Sequence, residues 1–97
     1  MIVRGDLPRG LQAAMLVHAA GESSPGNMSD GTYAVVLKAR DEVHLAAEAD
    51  RLERAGVRLV RVHEPDAPYH GSLMSLGLVP GRREDLRRHV SQLPLLR

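Results

Sequence analysis

The spacing of apolar positions changes period along the chain, and the changes predict its elements. Ile2-Val3-Arg4 opens as a short strand, stopped by Gly5-Asp6-Leu7-Pro8. Residues 9–20 read as a helix: Leu11, Ala13, Ala14, Met15, Leu16, Val17, Ala19 and Ala20 are apolar, broken only by Gln12 and His18. Apolar character nearly all round predicts burial on more than one side, with Gly21 ending the helix. Residues 21–31, rich in Gly and Ser without periodicity, predict a mobile loop. The run Tyr33-Ala34-Val35-Val36-Leu37 predicts a strand over residues 33–39, covered on both faces. Asp41 is placed to cap a helix running to about Ala55, with Gly56 in the C′ position. Val43, Leu45, Ala46, Ala49 and Leu52 form its apolar stripe, opposite Glu42, Glu48, Asp50, Arg51, Glu53 and Arg54. Strands are expected over 57–63 and 72–78, joined by the turn-rich residues 64–71. A last helix is expected over 82–93. The tail Leu93-Pro94-Leu95-Leu96 fits at most an edge strand, because Pro94 cannot sit in a central one.

This order of elements implies one α/β layer domain over residues 1–97, with a mainly parallel or mixed sheet. A 97-residue chain buries only about 60–65% of its unfolded surface, which together with the apolar first helix favours a homodimer. A composition 43% hydrophobic and 26% charged, with net charge +1, is that of a folded domain and excludes a strongly basic nucleic-acid footprint. Tyr33 and Tyr69 are the only aromatic residues, so no platform for stacking bases exists. The absence of cysteine removes disulfides, thiolate ligands and cysteine nucleophiles, and fits a reducing cytoplasm. No apolar run approaches the ~18 residues of a membrane span, and Met1-Ile2-Val3-Arg4 reads into a strand rather than a signal peptide. A soluble cytoplasmic protein is expected.

Four segments carry a family resemblance. The first runs from Asp6-Leu7-Pro8-Arg9-Gly10 through Ala13-Ala14-Met15 to His18-Ala19. The second is Val35-Val36-Leu37-Lys38-Ala39-Arg40-Asp41-Glu42. The third joins Ala55-Gly56-Val57 to Val60-Arg61-Val62-His63-Glu64-Pro65-Asp66, and the fourth is Leu76-Gly77-Leu78-Val79-Pro80-Gly81 with the following helix and Leu93-Pro94-Leu95. Together they resemble the type-2 peptidyl-tRNA hydrolases, including the small bacterial members, over nearly the whole chain, with the loop after the first helix shortened. The resemblance implies a three-layer domain, a four-stranded mixed sheet between helices, dimerisation, and cleavage of the ester joining a peptide to the terminal ribose of tRNA. It also exposes departures. The family's Lys before the first helix falls at Leu11 or Arg9, and its Gln at Met15. Its Thr falls at Met74, unless a shift of register offers Ser72 or Ser75. Its acidic group after the third strand is matched by Glu64. Fold transfers better than chemistry under such changes.

Ester hydrolysis needs an activated water, a stabilised oxyanion and a hold on an anionic substrate. Glu64 ends a predicted strand, a usual location for function in an open α/β sheet, with His63, Asp66 and His70 close in sequence. It reads equally as a solvated loop carboxylate beside Pro65. His18 lies on the face of Leu11 and Met15, and is either a catalytic hydrogen-bonder or a partly buried ring bonded to backbone. Ser72 and Ser75 are the assisting hydroxyls offered by the fourth strand. Gln12 faces either the substrate or solvent, and Asp6 is placed to cap the first helix. Arg9 stands at a helix N-terminus, where a cation is unfavourable unless an anion binds, and Arg4 is close enough in sequence to join it. Arg83 and Arg87, four apart in the cluster Arg82 to His89, form either a phosphate-binding ridge or ordinary dipole matching behind Glu84 and Asp85. The spacing of His63, Glu64, Asp66 and His70 matches no zinc motif, and no phosphate loop, dinucleotide fingerprint or serine elbow occurs. No metal or cofactor is expected. Three functions follow: a hydrolase of peptidyl- or related acyl-tRNA esters, a non-catalytic dimeric relative that binds RNA or a protein partner, or a small-molecule enzyme that reuses the cleft.

Overall fold

The computed structural model describes residues 1–97. Its elements are β1 (Ile2–Arg4), α1 (Arg9–Ser23), β2 (Leu37–Ala39), α2 (Glu42–Arg54), β3 (Leu59–Glu64), β4 (Ser72–Leu78) and α3 (Arg83–Val90). The four strands form one mixed sheet in the order β2-β1-β4-β3. β1 pairs β2 in parallel, while β4 runs antiparallel to both β1 and β3. The ends of β1, β2 and β3 and the start of β4 therefore share one edge.

Alternation along β1 sends Ile2 and Val3 to opposite faces, and the core divides accordingly. Ile2 joins Leu45, Ala49 and Leu52 of α2, with Leu37, Leu73, Leu76 and Leu93. Val3 joins Met15 and Ala19 of α1, with Leu7, Val62 and Met74. α1 covers one face and α2 the other, which is the expected three-layer arrangement. α3 lies on the α2 side: Val90 packs on that cluster and the His89 carbonyl accepts from Arg51. No helix is long and apolar enough to cross a membrane.

α2 begins and ends as its sequence predicts. Asp41 accepts from the His44 amide at 2.9 Å, and Gly56 takes the positive φ of +85° that follows a helix end. Its buried face is Leu45, Glu48, Ala49 and Leu52. Val43, assigned to the apolar stripe, is 81% exposed, because it lies about 200° around the helix from Leu45. Glu48, assigned to the polar side, sits within the buried stripe, where Arg51, Gln92 and His44 satisfy its carboxylate.

Other expectations are corrected, and that for the tail holds. α1 runs through Gly21 to Ser23, and it buries one face only, with Val17 72% exposed. The strand expected over 33–39 keeps only Leu37–Ala39, and Tyr33 is 84% exposed. The paired register takes in Leu37–Ala39 opposite Ile2–Arg4. Next to it the Met1 carbonyl accepts from the Leu37 amide at 2.8 Å, and the Met1 amine donates to the Val35 carbonyl at 2.9 Å. β3 and α3 occupy 59–64 and 83–90, shorter or shifted against the expected 57–63 and 82–93. The tail behaves as an edge segment, with a bridge from Leu95 to Leu37 and a bond from the Leu96 amide to the Val36 carbonyl at 3.0 Å.

β4 carries a bulge. The ladder steps from Val62–Ser75 to His63–Leu73, leaving Met74 as an extra residue. Two successive side chains therefore point towards α1: Met74 enters its cluster, and Ser75 donates to the Met15 carbonyl at 2.9 Å.

Candidate active site

α1 and β3 flank an open cleft of about 360 Å³. Met15, His18 and Glu22 line it from α1, one helical turn apart, and residues 61–65 line it from β3. His18 and Glu64 thus face one space. Glu64 is half-buried and its Oε1 accepts from the Asp66 amide at 3.1 Å, which fixes the carboxylate at the strand end. The His63 ring is engaged by the Gly71 carbonyl through Nδ1 at 2.9 Å. Arg61, also on the wall, gives its guanidinium to Asp50 at 2.8 Å and to Glu53. No three His, Asp or Glu side chains come close enough to share a metal ion.

Of the other sequence candidates, Ser72 stands beside Glu64 as its cross-strand partner, and the rest lie elsewhere. Arg9 and Gln12 border a second cavity of about 270 Å³ with Ala13, Leu16, Leu96 and Arg97. Gln12 is only 9% exposed, and its amide donates to the Arg4 carbonyl at 3.1 Å. Ser72 donates to the Tyr69 carbonyl, and Ser75 is fully buried. Arg83 and Arg87 ride on α3, on the far side of the sheet from His18. Glu22 joins the cleft wall because α1 continues past Gly21, where the sequence predicts its end. Its i+4 spacing from His18 was the available signal.

Asp6 does not cap α1, whose first residue follows Pro8 with no side-chain cap. It forms a two-pronged ion pair with Arg4, at 3.0 Å on both sides. Arg4 also donates to the Leu73 carbonyl at 3.2 Å, so its guanidinium is committed and does not join Arg9. The hydrogen bonds from Arg4 hold the Asp6 carboxyl below its ordinary value of 3.8, against the opposing effect of burial. A carboxyl lowered in the folded state stabilises above its unfolded pKa, and that contribution disappears as pH falls through the folded one. Asp6→Asn should therefore lower the melting temperature by a few degrees near pH 7, about 1 kcal/mol or less since Asp6 is 41% exposed. Near pH 2 the two proteins should melt nearly together. A gap that stays constant across this range would disprove the pair's contribution.

The fold and cavity define a small α/β domain that brings a fixed carboxylate and an imidazole to one sheet edge. No family model matches the chain. A peptidyl-tRNA hydrolase of Methanopyrus kandleri is 32% identical over 111 residues, an alignment spanning all of this chain and 96% of the relative. The chain belongs to the peptidyl-tRNA hydrolase family, as a distant member.

Proposed function

We propose that this chain is a divergent type-2 peptidyl-tRNA hydrolase of the small bacterial kind. It acts as a single cofactor-free cytoplasmic domain that cleaves the ester between an acyl group and the terminal ribose of tRNA. The observation that carries this reading is the shared cavity of His18 and Glu64. Glu64 takes a proton from water as the water oxygen bonds to the acyl carbon. His18 donates a hydrogen bond to the developing oxyanion. The bond from carbon to ribose oxygen then breaks, and the proton held by Glu64 passes to that oxygen. Arg9, beside the uncapped start of α1, holds a phosphate of the same strand. Ser75 has no part, because its hydroxyl is sealed against α1, and Gln12 serves the fold through Arg4. Arg83 and Arg87 can meet only nucleic acid that passes round the far face.

A second reading has its own observation. Met15 and Met74 are almost completely buried in the α1-side core, and Leu11 packs against it. Met15 stands where the resemblance expects Gln, Met74 where it expects Thr unless Ser72 or Ser75 takes that place, and Leu11 where it expects Lys unless Arg9 does, so packing takes the place of polar chemistry on that alignment. A binding domain without turnover would follow. Purified chain mixed with N-acetylated aminoacyl-tRNA separates the two. Release above the spontaneous rate is the expected outcome, while salt-sensitive binding without release would establish the second reading. Light scattering on the same sample should give a mass near twice the 10.6 kDa of one chain.

A further inference from the structure

We propose that the peptide of the ester substrate lies along the open edge of β3 as an added parallel strand, held through its main chain. The inference rests on the reading of the cleft as the hydrolytic site. Three observations carry it. The first is that β3 is the one sheet edge without a partner. The strand order puts β2 and β3 outermost, and the chain closes β2 with its own tail. There the Lys38 amide donates to the Pro94 carbonyl at 2.9 Å, and the Leu96 amide to the Val36 carbonyl at 3.0 Å. β3 pairs only with β4.

The second is the phase of that pairing. The Val79 amide donates to the Arg58 carbonyl at 3.0 Å, immediately before Leu59 pairs with Leu78. Antiparallel ladders bond at every second residue. Val60 and Val62 therefore turn their amides and carbonyls to β4, while Leu59, Arg61 and His63 turn theirs outwards. No other segment of the chain bonds to these outward groups.

The third is the make-up of the cleft wall. Val62 points into the α1-side core, so Arg61 and His63 point to the other face. The Arg61 guanidinium reaches Asp50 and Glu53 of α2, and the His63 ring reaches the Gly71 carbonyl. Both residues line the cleft nonetheless, and what they bring to it is main chain. Free amides and carbonyls in extended register are the template that an extended peptide completes. Glu64 fixes the direction. The acyl carbon must reach it at the end of β3, so the peptide places its C-terminal residue there and runs back towards Leu59. The strand Leu59–Glu64 spans roughly 17 Å, room for about five residues of extended peptide. Main-chain bonds ignore side-chain identity, which suits substrates whose peptides differ in sequence.

The test uses tRNA acylated chemically with N-acetyl-alanine or with N-acetylated alanine peptides of increasing length. In the wild-type chain kcat/KM should rise with length and level off at about five residues. N-methylation of one peptide amide at a time removes one donor. It should cost about 2- to 10-fold at every second residue and little at those between. The residues between carry the same conformational bias, so a period of two reports strand pairing. On the protein side, Arg61→Pro deletes one outward amide at a position where an edge strand accepts proline, and Arg61→Ala controls for the lost ion pairs. The gain with length should be about 2- to 10-fold smaller in Arg61→Pro than in Arg61→Ala. If Arg61→Pro does not fold, the methylation series decides. Equal kcat/KM at all lengths, or losses without alternation, would overturn the proposal while leaving the hydrolytic reading intact. An Arg61→Pro chain that turns from dimer to monomer at unchanged length gain would give the edge to a second copy instead. Failure to cleave any of these esters would remove both readings.

Discussion

Glu64→Gln should lower the turnover of acyl-tRNA by about 10²- to 10⁴-fold while leaving the fold unaltered. The substitution is chosen for what it keeps. The one hydrogen bond that the Glu64 side chain accepts, from the Asp66 amide at 3.1 Å, requires only an oxygen at Oε1, and glutamine supplies it. The turn at Pro65 is preserved, and the amide cannot take a proton from water. A loss of activity at unchanged melting temperature is therefore a loss of chemistry. His18→Ala should cost less, because a hydrogen-bonder to the oxyanion assists a step that Glu64 initiates. The double variant should fall little further than Glu64→Gln alone, since in the proposed reaction the two groups act on one water and one carbonyl. Glu64→Gln with activity within about twofold of wild type would remove Glu64 from the chemistry.

The order of elements was legible in the sequence because each signal is local. The Asp41 cap, Gly56 at the helix end and the spacing of Leu45, Ala49 and Leu52 are decided within one helical turn. The failures come from partners that a sequence does not display. The run 33–36 has full strand propensity, yet the register with β1 takes in only Leu37–Ala39. Propensity describes what a segment can do, and register decides how much of it does so. The apolar α1 misled in the other direction: alanine is apolar but small, and its presence on an outer face costs little. Glu48 is the converse case, a charge read as solvated that the stripe carries inward, where Arg51 and Gln92 satisfy it.

The site was half legible. Glu64 and His18 were each singled out from sequence, and α1 and β3 bring them to one cavity. Arg9 was expected to join them, but it lies on the opposite flank of α1 from His18, a matter of helical angle compounded by docking. Ser75 could not be judged from spacing. Strict alternation along β4 would put Met74 and Ser75 on opposite faces, and the bulge at Met74 turns both towards α1. A bulge leaves no mark here that a single sequence reveals. The ion pair of Arg4 with Asp6 was equally hidden, because Asp6 stands where a capping residue is expected.

Gly77→Ala should be the most damaging single-methyl change in the chain, lowering the melting temperature by roughly 10–20 °C. α1 lies directly on β4 at this point. A Cβ built on Gly77 would overlap the Ala19 carbonyl oxygen and stand 2.8 Å from Ser23 Oγ and 2.9 Å from Ser23 Cβ. The first of these is backbone in the middle of a helix, so no rotamer change relieves it and the whole helix must lift. The cost, about 2–3 kcal/mol, follows from overpacking against a rigid wall. Gly21 and Gly10, on the same helix, provide the control, since a Cβ at either meets no atom within 4 Å. Gly21→Ala should stabilise by about 0.5–1 kcal/mol, because alanine holds a helix better than glycine. The same geometry ties stability to function. α1 carries His18 against the strand that ends in Glu64, so lifting the helix widens the cleft and moves the imidazole from Glu64, its partner in the proposed reaction. Gly77→Ala should therefore lose turnover even at temperatures where it remains folded, by about 10²-fold for a displacement near 1 Å. A variant that melts within about 3 °C of wild type would show that α1 does not rest on β4 as closely as this packing requires.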